Sequence, residues 1–179
     1  MKRCSGCKEG ILERSTKPEH IEDLGGVVVK VVNAVRLFRC SACGEETIAI
    51  PDMQGLVRAA AIGRALNPVC LDGKEVRFMR RALDMTQQEF GAAMNLSAEH
   101  VSRWENDRKG IGAASEKLVR HNICALLYKV VVANDYDPAA IASMSFVTLQ
   151  DGEVLPLMEM RRVLVKHDHQ TTDAWDRAA

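Results

Sequence analysis

Long apolar runs are missing from this 179-residue chain. No stretch approaches the ~18 consecutive apolar residues of a membrane span. The opening Met1-Lys2-Arg3-Cys4 lacks the apolar segment of a secretory leader. Both absences predict a cytoplasmic protein that makes no use of a membrane. Net charge is missing too: 24 Lys and Arg balance 24 Asp and Glu, so the molecule as a whole exerts no pull on a polyanion. There is no internal repeat and no low-complexity run. No Ser/His/Asp set, no glycine loop to cradle phosphate and no metal site with an open position can be found, which predicts a binding protein rather than an enzyme.

What is present is unevenly distributed. The composition, 47% hydrophobic and 27% charged, is that of an ordinary globular protein. Residues 73–132 hold ten Lys or Arg against seven Asp or Glu, whereas residues 133–179 hold four against eight. A basic middle before an acidic tail suits one segment that faces DNA and one that faces away. The pattern divides the chain into a cysteine-bearing module (1–52), a linker with a short helix at 54–66 (53–72), a compact helical unit (73–132) and an extension (133–179). The fold class expected is α+β. A small β-rich Cys4 module is followed by an all-α, five-helix unit, and the extension is a candidate for dimerisation.

Two Cys-x-x-Cys pairs, Cys4/Cys7 and Cys40/Cys43, are separated by 32 residues. In a reducing compartment such pairs indicate metal rather than disulfides. Each lies on a tight turn with Ser5-Gly6 or Ala42 and Gly44, whose short reach aims both thiolates at one ion. Four thiolates close a tetrahedron and leave no position for water or substrate, so the expected Zn2+ is structural, one per chain. Its binding energy acts as folding energy for a segment with few large apolar residues. The Val-rich stretch 27–38, after Gly25-Gly26, predicts strand and a hairpin. Cys70 and Cys124 have no partner spacing, and Cys124 is expected in the core.

In the middle segment, Thr86-Gln-Gln-Glu89 has the spacing of a capping box and starts a short helix. Asn95-Leu96 makes the turn, and Ser97 is the N-cap of a second helix from Ala98 to Asn106. Two short helices around a turn place the second in a major groove. Val101 and Trp104, three apart, face inward, with Trp104 as the aromatic anchor. Ala98, Glu99, His100, Ser102 and Arg103 are then available to DNA. Arg103 can donate twice to guanine and Glu99 can accept from cytosine. Gln87, Arg108 and Lys109 are expected on phosphate. A long helix, about 114–132, carries Val119, Ile123, Leu126 and Val130 on an apolar seam. Asp137-Pro138 opens a further short helix. Met79, Met85 and Met94 read as core filler, and His167-x-His169 as solvated.

Arg77-Phe-Met-Arg-Arg-Ala-Leu83, Thr86-Gln-Gln-Glu-Phe-Gly91 and Val101-Ser-Arg-Trp-Glu105 resemble the Cro/CI-type (XRE) helix-turn-helix. The order of elements before them also has a counterpart. Cys-x-x-Cys, a β stretch, Cys-x-x-Cys-Gly-Glu and Ile-Pro-Asp resemble the MqsA-type antitoxins, also called the YgiT-type zinc-finger family. The resemblance spans about residues 1–130. It implies a homodimer on a palindromic operator that represses its own operon and neutralises a partner toxin. By position it implies Glu99 and Arg103 as base readers. Glu99 departs from the Asn of the best-known member, so a different operator is expected. An alternative from the same residues is a free-standing regulator whose zinc thiolates respond to oxidants or metal scarcity, with no toxin.

Overall fold

The computed structural model describes residues 2–107, 110–131, 136–167 and 170–177. Its first strands, β1 (Leu12–Asp23) and β2 (Val28–Cys40), form a long antiparallel ribbon, with Asp23 opposite Val28 and Leu12 opposite Cys40. The five valines of β2 suit a pleated surface, and Val29, Val31 and Val35 are fully buried. Pro18 cannot donate to a ladder, and the register slips there, between Lys17 and Glu19, opposite Asn33 with its φ of 52°. The reversal uses Gly25 and Gly26 at φ 82° and 146°. A Cβ on Gly26 would stand 2.6 Å from the Lys74 carbonyl, so only glycine lets this turn rest on the helix below.

A short β3 (Glu46–Ala49) pairs with the Cys40 end of β2. The rest of the sheet comes from the far end of the chain. β4 (Met158–His167) runs parallel to β2, Val29 opposite Met158 and Val32 opposite Arg161, and β5 (Gln170–Arg177) pairs antiparallel with β4. Part of the segment expected as an extension therefore belongs to the sheet begun by the cysteine module.

Six helices occur among the described residues: α1 (Met53–Ala65), α2 (Gly73–Ala82), α3 (Gln87–Ala92), α4 (Ala98–Glu105), α5 (Ala113–Leu127) and α6 (Pro138–Ala142). The α+β class holds, but the expected five-helix count does not. α2 to α5 lie in the helical unit, α1 precedes them, and Asp137 caps α6 after them, its carboxylate accepting from the Ala139 amide.

α1 is buried between sheet and helices. Leu56, Ala59, Ala60, Ala61, Ile62 and Ala65 are wholly inaccessible, and the helix packs on α2, α5, β4 and β5. Its small alanines let these neighbours approach closely. At its start Trp175 Nε1 donates to the carbonyls of Pro51 and Asp52 at 3.2 and 2.9 Å, and Arg162 lies over the Trp175 ring while pairing with Asp173. At its end two buried arginines hold the chain as it leaves for α2. Arg64 donates to Glu75 and to the carbonyls of Val69 and Cys70, and Arg120 to Glu116 and to the carbonyls of Ala65, Asn67 and Val69. The seam expected on α5 divides. Val119 and Ile123 are consumed by this core, together with Cys124, whereas Leu126 and Val130 are 46% and 55% exposed.

Candidate metal centre and nucleic-acid interface

Cys4 and Cys40 begin two turns of one design. The amide of Lys8 donates to the Cys4 carbonyl and that of Gly44 to the Cys40 carbonyl, each at 3.1 Å. The residue after each second cysteine takes a left-handed conformation, Lys8 at φ 61° and Gly44 at φ 72°. These turns aim amides at sulfur: Gly10 to Cys7 at 3.4 Å, and Ala42 and Cys43 to Cys40 at 3.4 and 3.5 Å. The four sulfurs lie within 4.8 Å of one another, with Cys4 to Cys43 at 3.9 Å and Cys7 to Cys40 at 3.6 Å. A tetrahedral ion at ~2.3 Å from each thiolate requires edges of about 3.8 Å. The donor set fits a thiophilic cation with all positions filled by protein.

The electrostatics agree. Amides of Gly10 and Glu9 draw the Cys7 thiol down to about 6, and those of Cys43 and Ala42 lower Cys40. The Cys7 amide acts the same way on Cys4, but burial and the Glu45 carboxylate, 3.3 Å away, outweigh it and lift Cys4 to about 12. Cys43 is also raised, its amide contact from Glu45 being outweighed by neighbouring Cys40 and burial. Without a cation the cluster resists full ionisation, because neighbouring thiolates repel. A bound cation removes that repulsion.

The helix-turn-helix is built by caps. Asp72 with Glu75 boxes the start of α2, and Thr86 with Glu89 the start of α3. Asn95 takes φ 56° in the turn. A Cβ on Gly91 would lie 2.7 Å from the Leu96 carbonyl, so glycine permits the close turn. Ser97 caps α4 by accepting from the His100 amide. Val101 and Trp104 face the core, while Glu99 and Arg103 side chains are 82% and 53% exposed and pair with each other at 3.7 Å. His100 and Ser102 share this outer side, occupied by bonds to Ser97 and Asn106 respectively, and Ala98 is half-buried at the helix start. The structure thus brings Ala98, Glu99, His100, Ser102 and Arg103 onto one short helix. Arg108 and Lys109 lie outside the described residues.

Gln87 shows a link that sequence reasoning missed. Its Nε2 donates to Glu105 at 2.9 Å, and Glu105, 1% exposed, also accepts from Arg80 at 2.5 and 3.0 Å. Burial would raise the Glu105 carboxyl; Arg80, Gln87 and Arg77 overcome it and hold it below its ordinary range. This charge ties α2, α3 and α4 together. Its only sequence signal is a carboxylate one position beyond Trp104, in a basic segment. Glu45 was missed for a similar reason: its relation to Cys4 is long-range.

Residues 76–114 match the model of a helix-turn-helix family, which covers α3 and α4 with most of α2 and the first residues of α5. A comparison with curated proteins found no match to the chain. Among the described residues no helix is long and apolar enough to cross a membrane. The match supports a DNA-binding transcription regulator, and the four-cysteine cluster can hold a metal ion.

Two glycines of the first cysteine turn separate metal binding from mere exposure. A Cβ on Gly10 would meet Cys40 Sγ at 2.3 Å and the Ala42 amide at 2.8 Å, whereas one on Gly6 meets the movable Glu45 carboxylate. Gly10→Ala is expected to weaken metal binding by about 10–100-fold, as disturbed second-layer contacts do. Gly6→Ala should stay near the parent. Competition with a chromophoric chelator measures both. Equal affinities for the two variants would remove Gly10 from the site.

Proposed function

We propose that this protein is a sequence-specific transcriptional repressor that acts as a homodimer on a palindromic operator. It serves as the antitoxin of a type II pair, repressing its own operon and neutralising a toxin. The observation that carries the DNA-binding part is α4, a capped helix pinned by Val101 and Trp104 that turns Glu99 and Arg103 outward. In this reading the chain is a binding protein, not an enzyme, and the metal is one structural Zn2+ on Cys4, Cys7, Cys40 and Cys43.

An exposed ion pair is worth little, so the Arg103–Glu99 pair opens readily in the groove. Arg103 then donates to guanine O6 and N7, and Glu99 accepts from cytosine N4. A carboxylate beside Arg103 disfavours phosphate, which supports base reading for both. Gln87 has two amide hydrogens. One goes to Glu105, and the other is free to reach phosphate, so the tether fixes the donor. Arg108 and Lys109 complete the phosphate contacts.

A single helix-turn-helix module covers only about 600–1,000 Å² of protein surface on DNA, which favours two copies. Leu118, Leu126 and Val130 on and after α5 remain exposed for that contact. The toxin role is supported by the resemblance of residues 1–130 to the MqsA-type antitoxins. The metal end of the ribbon also leaves Ile11 and Ile48 exposed at 42% and 43%, open to a protein partner.

Duplexes selected from a random pool by the intact chain test the DNA reading. Arg103→Ala is expected to cost about 1–3 kcal/mol on the selected site and to relax one position per half-site. Gln87→Ala should weaken selected and scrambled duplexes alike. Equal losses on both duplexes for Arg103→Ala would make Arg103 a phosphate contact and move the reading surface elsewhere. Co-expression with the adjacent reading frame tests the toxin role: a stoichiometric co-purifying protein is expected, and its absence would favour a free-standing regulator.

A further inference from the structure

A cavity of about 450 Å³ opens where the ribbon turn, the end of α1, the start of α2 and the segment before β4 converge. Its volume falls within the range of small-molecule sites, about 300–1,000 Å³. Val27, Val28, Leu155, Leu157 and Met158 make its walls apolar, and Val154 stands at the rim 85% exposed. A ligand in the cavity would cover part of it.

Two arginines and two glutamates line the cavity, and three of the four are tied into ion pairs. Glu75 is held by Arg64, which spends its guanidinium on that carboxylate and on the carbonyls of Asn67, Val69 and Cys70. Glu159 is paired with Lys30. Arg177 also lines the cavity and has no ion-pair partner among the described residues. Gly63 brings its stem in: a Cβ there would lie 2.5 Å from Met158 Sδ and 3.4 Å from Arg177 Cδ. A guanidinium with no ion pair among the described residues, in the lining of a mostly apolar pocket, matches a molecule with one anionic end and an apolar body.

We propose that this cavity is a binding site for a small apolar carboxylate, its chain against Val27, Leu157 and Met158 and its head on Arg177. A guanidinium forks onto a carboxylate with two parallel bonds, and water leaving the apolar walls drives the rest. Glu75 lies in the third position of α2, so the ligand touches the first helix of the DNA-binding unit. The binding step itself stands independently of the DNA reading.

Calorimetric titration of the full chain with octanoate, and with 1-octanol as the uncharged equivalent, tests the proposal. Octanoate is expected to bind saturably at one site, at least about tenfold tighter than the alcohol, because charge-assisted bonds are the stronger kind. Arg177→Gln should bring octanoate to the affinity of the alcohol and leave the alcohol unchanged. Val154→Asp, at a position too exposed to affect folding, should weaken octanoate by a similar factor. No saturable binding, equal affinity of the two probes, or an unaffected Arg177→Gln would each overturn the assignment.

Discussion

The molecule depends on two guanidiniums buried at one crossing. Arg64 and Arg120 are 1% and 0% exposed and share the backbone of residues 65–70, where the chain passes from the sheet helix α1 into the DNA-binding unit. The last carbonyls of a helix lack partners within it, and here Arg120 satisfies that of Ala65. Burial lowers the Arg120 guanidinium, and Glu116, at 2.6 Å, offsets only part of the effect. Glu116 also accepts from the Leu71 amide, and Glu75 closes the second pair while boxing the start of α2. Such charges rarely add net stability over apolar packing, but removing one partner leaves its counterpart stranded. They fix geometry: the segment between α1 and α2 can leave the core along one path.

The four-cysteine cluster and α4 stand at separate ends of this frame. The ribbon runs from the cysteines to the Gly25-Gly26 turn on α2, about 35 Å at ~3.3 Å per residue. A closed four-thiolate site at that distance shapes the ribbon tip and β3, and the orientation of α4 is set by other charges. Glu105 with Arg80 and Gln87 does that locally. The two devices work alike, each placing one charged group among donors from several segments.

Much of the site was legible in the sequence because its signals are local. A Cys-x-x-Cys turn, the Thr86–Glu89 box, the Ser97 cap and the Val101–Trp104 spacing each need only a few neighbouring residues. The missed features are long-range or solvated. β1 lies at the sheet edge, largely exposed on both faces, and its polar sequence shows no alternation. The parallel pairing of Val29 with Met158 joins residues that no turn connects. The sequence of α1 suggests a linker helix because its alanines carry little hydrophobic weight, although their small size is what lets sheet and helices close around it. The α5 seam was seen, but periodicity cannot say that Val119 and Ile123 are spent inside while Leu126 and Val130 stay outside.

The chain carries two tryptophans, and each reports one side of the crossing: Trp104 in α4 and Trp175 in β5. Urea unfolding followed by fluorescence in Trp104→Phe and Trp175→Phe variants therefore reads the two sides separately. With both arginines present the two curves should coincide, as for one cooperative unit. Adding Arg120→Ala should cost about 3–5 kcal/mol and separate the curves, the helical unit and the sheet then melting apart. Curves already separate in the parent, or still coincident and unshifted after Arg120→Ala, would contradict the role assigned to the buried arginines.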